Sequence, residues 1–311
     1  MKTRPFKQVD VFTDQPYFGN PLAVVLDGSV LDDAAMQRFA HWTNLSETTF
    51  VLPATDPSAD YRVRIFTHGG ELPFAGHPTL GTCHAWLQAG GKPQRKDVIV
   101  QECKAGLINI RLQPHARGTR QAFAAPPLKR SAPSPVVLAQ VAAALGLKPQ
   151  HISTAQLLDN GPVWLGLLLD SADSVLQIEP DHLALKKYGL KVGVIGAHQA
   201  PAAPLLIARS SREARAFSGN APAEVSAADF EVRAFAAPMG IHEDPVTGSL
   251  NASLAQWLMA DGLAPDHYVV AQGTCLGRAG RVYLNRENAG GSASVWVGGE
   301  SVTCMEGSVT L

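Results

Sequence analysis

Glu47 stands in the run Asn44-Leu45-Ser46-Glu47-Thr48-Thr49-Phe50, where a polar stretch passes into a strand-forming apolar one. A lone carboxylate at a strand edge is most often solvated, and then it does no chemistry. Turned into a cleft, it would lose solvation of its charged form and its pKa would rise toward neutrality. A carboxyl poised there can both take and give a proton, as general acid–base catalysis requires. The residues alone leave both readings open.

His77 and Asp244 pose a similar choice. Each stands just before a proline, Pro78 and Pro245, of the kind that suits the first turn of a helix. A helix start carries unpaired N–H groups and the positive end of the dipole, so two starts facing a cleft would hold a carboxylate. Gly76, Gly248 and Ser249 are small enough to let a ligand reach the backbone there. In the competing reading His77 and Asp244 simply cap their helices; the two readings do not exclude each other.

The helices behind these starts have an uncommon composition. Residues 72–91 contain no Asp, Glu, Lys or Arg, and neither do residues 245–260. A helix with no charged face is normally buried on all sides. Gly90 and Gly262 punctuate their ends. Both open on Pro-x-x-Gly followed by Thr82 or Ser249, and both carry a Trp-Leu pair, Trp86-Leu87 and Trp257-Leu258. This weak internal repeat predicts an α+β fold of two similar lobes, each a mostly antiparallel or mixed sheet wrapped around one central buried helix.

The rest of the chain supplies strands for such lobes. Strands are expected over 9–13 and 22–26 around the Gly19-Asn20-Pro21 turn, and over 46–52 and 61–66. A helix capped by Asp32 or Asp33 and running to about Thr43 puts Met36, Phe39 and Ala40 on one face. A hairpin over 98–102 and 107–112 turns at Gly106. Residues 122–136, rich in Pro and Ala, read as a linker. It divides the chain into an N-terminal lobe, 1–125, with Glu47 and His77, and a C-terminal lobe, 126–311, with Asp244 and Ser249. A helix over 136–145, strands over 163–169, 204–208 and 229–236, and a strand-rich tail over 267–311 complete the second lobe; the last strands can pack back on the first.

Composition narrows the function. Among 311 residues, 46% are hydrophobic and the net charge is −1, which gives no reason to expect nucleic acid or an anionic membrane as partner. No run approaches a membrane span, and the opening residues lack the apolar stretch of a signal peptide, so a cytoplasmic location is expected. Cys83, Cys103, Cys275 and Cys304 form no CxxC pair and read as reduced thiols. His77 and His84 share a helix face but lack a third ligand at recognisable spacing, so no metal is expected. Dinucleotide, P-loop and GxSxG signatures are absent from the sequence.

Several runs together resemble the PhzF-like (phenazine biosynthesis) family. They are Asp10-Val11-Phe12-Thr13 with Gly19-Asn20-Pro21-Leu22-Ala23-Val24, then Asn44-Leu45-Ser46-Glu47-Thr48, then Glu71-Leu72-Pro73-Phe74-Ala75-Gly76-His77-Pro78-Thr79, and Glu243-Asp244-Pro245-Val246-Thr247-Gly248-Ser249. Gln272-Gly273, Gly277-Arg278 and Glu306-Gly307 resemble the family's end, so the likeness spans nearly the whole chain.

The resemblance implies the fold of diaminopimelate epimerase, with the active site between two lobes. It implies a homodimer acting on a small carboxylate without metal or organic cofactor. In the family's phenazine enzyme the substrate is trans-2,3-dihydro-3-hydroxyanthranilate, and a glutamate matching Glu47 shuttles the proton that moves a double bond. By the same matching, Ser46, Gly76, His77, Asp244, Gly248 and Ser249 line the site, with His77 and Asp244 as further catalytic residues that bind or polarise the substrate and assist proton transfer. The related epimerases use a cysteine at each helix start. Here Ala75-Gly76-His77 and Asp244-Pro245-Val246 occupy those places, and Cys83 lies too far into its helix, which disfavours a two-thiol mechanism. Phe66-Thr67-His68-Gly69-Gly70 departs from the family, which usually has Pro after Phe-Thr. The expectation is an isomerase. Its alternatives are an amino- or hydroxy-acid epimerase and a non-catalytic binding protein on the same scaffold.

Overall fold

A computed structural model of the chain describes residues 1–115, 118–198, 227–289 and 292–311. Its first strand, β1 (Thr3–Val11), lies between β2 (Asn20–Val25) and a strand from the far end of the chain, β18 (Ser301–Thr310), antiparallel to both. β1 starts six residues before the expected strand because its charged residues are buried between two neighbours. Arg4 donates to the Asp27 carbonyl at 2.6 Å, and Lys7 pairs with Glu306 at 3.0 Å. These contacts satisfy charges that otherwise argue against a buried strand. α1 (Asp33–Thr43) follows as expected: Asp32 accepts from the Ala35 N–H, and Met36, Phe39 and Ala40 face inward. It crosses to β3 (Thr48–Leu52), parallel to β2.

β4 (Tyr61–Phe66) runs antiparallel to β3 and carries the short β5 (Glu71–Leu72) at its end. α2 (Gly76–Gln88) leads to β6 (Val98–Cys103), parallel to β4, and then to the antiparallel β7 (Gly106–His115) and β8 (Gly118–Ala124).

The second half repeats these relations. After β9 (Lys129–Ser131) and α3 (Pro135–Ala144), β10 (Ile152–Asp159) and β11 (Val163–Leu169) are antiparallel. α4 (Ala172–Leu176) and α5 (His182–Tyr188) cross to β12 (Lys191–Ala197), parallel to β11. β13 (Phe230–Ala236) is antiparallel to β12 and carries the short β14 (Ile241–Asp244). α6 (Gly248–Ala260) leads to β15 (His267–Gln272), parallel to β13, then to the antiparallel β16 (Gly280–Ala289) and β17 (Ser292–Gly299). Strand for strand, β10 to β17 pair in the senses of β1 to β8.

The two runs join where β8 pairs with β17, and each outer strand belongs to the other stretch of chain: β18 covers β1, and β9 covers β10. α2 packs on β1, β2, β3, β6, β8 and β18; α6 packs on β10, β16 and β17 and touches α2. Both helices contribute to one main core, with Leu80, Cys83 and Ala85 from the first and Leu250, Leu254 and Trp257 from the second. The molecule is a mixed α/β protein built mostly of strands. No helix among the described residues is long and apolar enough to cross a membrane.

Residues 122–136 are not a bare linker. Residues 122–124 end β8, where Ala122 and Phe123 are buried, and residues 129–131 form β9. The Pro-rich composition hid strands that are made by distant partners, β17 and β10. The strand expected over 204–208 lies outside the described residues.

Candidate active site

α2 starts at Gly76 and α6 at Gly248, so His77 is the second residue of its helix and Asp244 lies a full four residues ahead of the other. The N-caps are Ala75 and Thr247, both with extended backbone, and no side chain caps either helix. The capping reading of His77 and Asp244 therefore falls. Asp244 is already occupied: Oδ1 accepts from Asn20 Nδ2 at 3.0 Å and Oδ2 from the Thr247 hydroxyl at 2.5 Å.

The two helix starts meet. A Cβ built on Gly248 would lie 3.2 Å from Gly76 Cα and 3.4 Å from the His77 backbone N. One on Gly76 would strike the Phe123 ring at 2.6 Å. Glycine at both positions lets two uncapped sets of N–H groups converge, a setting suited to an anion.

Glu47 is the last residue before β3. Its side chain is 17% exposed, and its Oε2 lies 3.5 Å from His77 Nε2, which is 7% exposed. Neither atom has a hydrogen-bond partner. Burial, helped by the negative charge of nearby Asp244, pushes the Glu47 carboxyl up to about 8. Burial also lowers His77 to about 3, so near neutrality an uncharged imidazole faces a mostly protonated carboxyl. This contact is no ion pair, and both groups are free to meet a ligand.

Asp244 is raised to about 6 by burial, against the hydrogen bonds from Thr247 and Asn20 and with Glu243 adding to the rise. It is thus mostly ionised near neutrality. Asn20 also donates to the Val246 carbonyl at 2.8 Å, tying the first half of the chain to the second. Gln272 braces the same turn. Its Oε1 accepts from Thr247 N at 3.0 Å, and its Nε2 donates to the Asp244 carbonyl at 3.1 Å and to Thr247 Oγ1 at 3.0 Å. Ser249 lies in the first turn of α6, where its hydroxyl accepts from Trp164 Nε1 at 3.2 Å. Ser46 is half-buried in the bend between α1 and β3, beside Glu47.

The geometry thus gathers Glu47, Gly76, His77, Asp244 and Gly248 at one place, with Ser46 and Ser249 at its margins. Sequence reasoning missed Asn20, Thr247 and Gln272 as supports of Asp244. The signal was present, since Asn20 and Gln272 stand inside the runs that carry the family resemblance. The unusual Thr67–Gly70 loop closes on itself through Thr67 N to the Gly70 carbonyl at 2.9 Å, and His68 Nε2 reaches Asn44 Oδ1 at 3.1 Å. It therefore touches the segment that delivers Glu47.

The family model described as phenazine biosynthesis-like protein matches residues 9–307. The chain is 33% identical to antisense-enhancing sequence 1 of Schizosaccharomyces pombe, covering 99% of each chain. It is 32% identical to the trans-2,3-dihydro-3-hydroxyanthranilate isomerase of Pseudomonas aeruginosa, covering 97% of this chain and 98% of that one. The crystal structure of a PhzF-family phenazine biosynthesis protein from Bacillus anthracis superposes with a TM-score of 0.80 at 23% identity, over 100% of both chains. A hydroxyproline epimerase from Agrobacterium vitis shares the fold at a TM-score of 0.57 and 15% identity, over 99% of this chain and 92% of that one. With the family model spanning almost the entire chain and relatives named as isomerases matching end to end, this chain belongs to the phenazine biosynthesis-like, PhzF-type family of isomerases.

Proposed function

We propose that the protein is a proton-transfer isomerase in which Glu47 moves a proton, and with it a double bond, on a small carboxylate held at the starts of α2 and α6. The observation that carries this is the unpartnered Glu47 Oε2 facing the unpartnered His77 Nε2 beside two helix starts without side-chain caps. A C–H bond of the substrate breaks onto ionised Glu47, the double bond shifts, and the Glu47 O–H returns the proton to a second carbon. Atoms and charge balance without any other reactant. With a pKa of about 8, roughly a tenth of Glu47 is ionised at pH 7, enough to serve as base, and the protonated product is a competent acid. Neutral His77 and the helix N–H groups hold the carboxylate, and Asp244 orients the reacting end. Trans-2,3-dihydro-3-hydroxyanthranilate, named for several relatives, is the first member of this substrate class to assay.

The same reading takes the two matched strand runs as epimerase-type lobes around α2 and α6, with the site between them. It makes the enzyme a cytoplasmic homodimer with neither nucleic acid nor membrane as partner. The test is a screen of cyclic and amino-acid carboxylates in heavy water, read by NMR for deuterium uptake. Glu47→Gln is expected to abolish uptake while thermal unfolding stays cooperative. Uptake that persists in the variant overturns the role of Glu47. Loss of a stereocentre without a shifted double bond would make the enzyme an epimerase instead.

A further inference from the structure

Lys191 opens β12, and no sequence motif singles it out. In the parallel pairing of β11 and β12 it lies opposite Trp164. Residues two apart on a strand share a face. Gly193 and Gly166, two residues beyond Lys191 and Trp164, face α6. A Cβ on Gly193 would strike the Leu250 side chain, and one on Gly166 would meet Leu254 and Trp257. Lys191 and Trp164 therefore occupy the inner face, one step nearer the start of α6. The Lys191 ammonium lies 4.9 Å from the Trp164 ring centre, and Trp164 Nε1 donates to Ser249 Oγ in the first turn of α6.

This cation is half-buried, and among the described residues it is in ion-pair contact with no carboxylate. Burial lowers its pKa, while Asp244 is near enough to act the other way, and Lys191 in turn lowers that of Asp244. A half-buried ammonium that rests on an aromatic ring, with no carboxylate against it among the described residues, and that stands beside the start of α6, is stabilised by an anion brought to it. We propose that Lys191 receives a second acidic group of the substrate, so that the site takes small dicarboxylates in preference to monocarboxylates. The inference rests on the helix starts holding the first carboxylate, as proposed above, and narrows that substrate class.

Phthalate and benzoate differ by one carboxylate and serve as probes. Each is titrated calorimetrically into the full-length wild type, Lys191→Met and Lys191→Arg. The wild type is expected to bind phthalate about tenfold tighter than benzoate. Lys191→Met, which keeps the apolar stem, is expected to erase that margin, and Lys191→Arg to retain it. Should Lys191→Met fail to fold by thermal unfolding, Lys191→Gln takes its place. A margin that survives loss of the charge, or benzoate binding without any margin in the wild type, overturns the role of Lys191 while leaving the carboxylate site standing. Binding of neither acid to the wild type overturns the carboxylate site and this inference together.

Discussion

Glu47 owes its chemistry to what surrounds it. Removal from water supplies most of its raised pKa, and the charge on Asp244 supplies the remainder. The sign of the pH dependence follows. If ionised Glu47 is the starting base, kcat/KM rises with pH and levels off above about 8. Asp244, with a pKa of about 6, is ionised throughout that window, so its negative charge is present while Glu47 titrates. Asp244→Asn takes the charge away and is expected to move the inflection to lower pH as well as to slow the reaction. The check is kcat/KM against pH for both proteins. An inflection that stays in place would mean that Asp244 acts only through its hydrogen bonds with Asn20 and Thr247.

The element scale turns on the contact of two helix starts. Gly248→Ala places a methyl 3.2 Å from Gly76 Cα, so the starts must part by tenths of an ångström. Alanine's better helix propensity, worth up to about 1 kcal/mol, offsets much of the strain. The expected outcome is a Tm near the wild type with kcat down roughly tenfold, because small misplacements of reacting groups are costly. Gly76→Ala should instead cost about 1–3 kcal/mol of stability, since its methyl meets the Phe123 ring at 2.6 Å. Both variants are compared by thermal unfolding and by kcat. The helices were legible in the sequence because their lack of charge is a local property, and α1 because its cap and inward face are local too. The strands of 122–136 and the charged start of β1 were not, because distant strands make them. The supports of Asp244 escaped for the same reason: Asn20 reaches it across 224 residues of chain. Family runs marked where Asn20 and Gln272 stand, but only the fold shows what they hold.

At the scale of the whole molecule, the two runs of strands are exchanged rather than merely joined. The chain crosses after β8 to place β9 beside β10, and crosses again after β17 to lay β18 along β1. Each run is thus completed by a strand that enters from the other, while α2, α6 and Asn20 lock them at the site. Contacts this distant in sequence cost loop-closure entropy before they reward it, and strands exchanged in this way are expected to couple the stability of one half to the other. Removing residues 301–311 strips β1 of its outer partner and Lys7 of Glu306. Damage confined to the first half would leave Trp257, fully buried on α6, reporting a normal unfolding midpoint. Coupling through the exchanged strands predicts otherwise. In a variant keeping Trp257 as its sole tryptophan, the truncation should lower the urea midpoint seen by Trp257 fluorescence as far as that seen by far-ultraviolet circular dichroism. Divergent midpoints would show that the halves unfold separately, and that the site between them is assembled from parts each stable on its own.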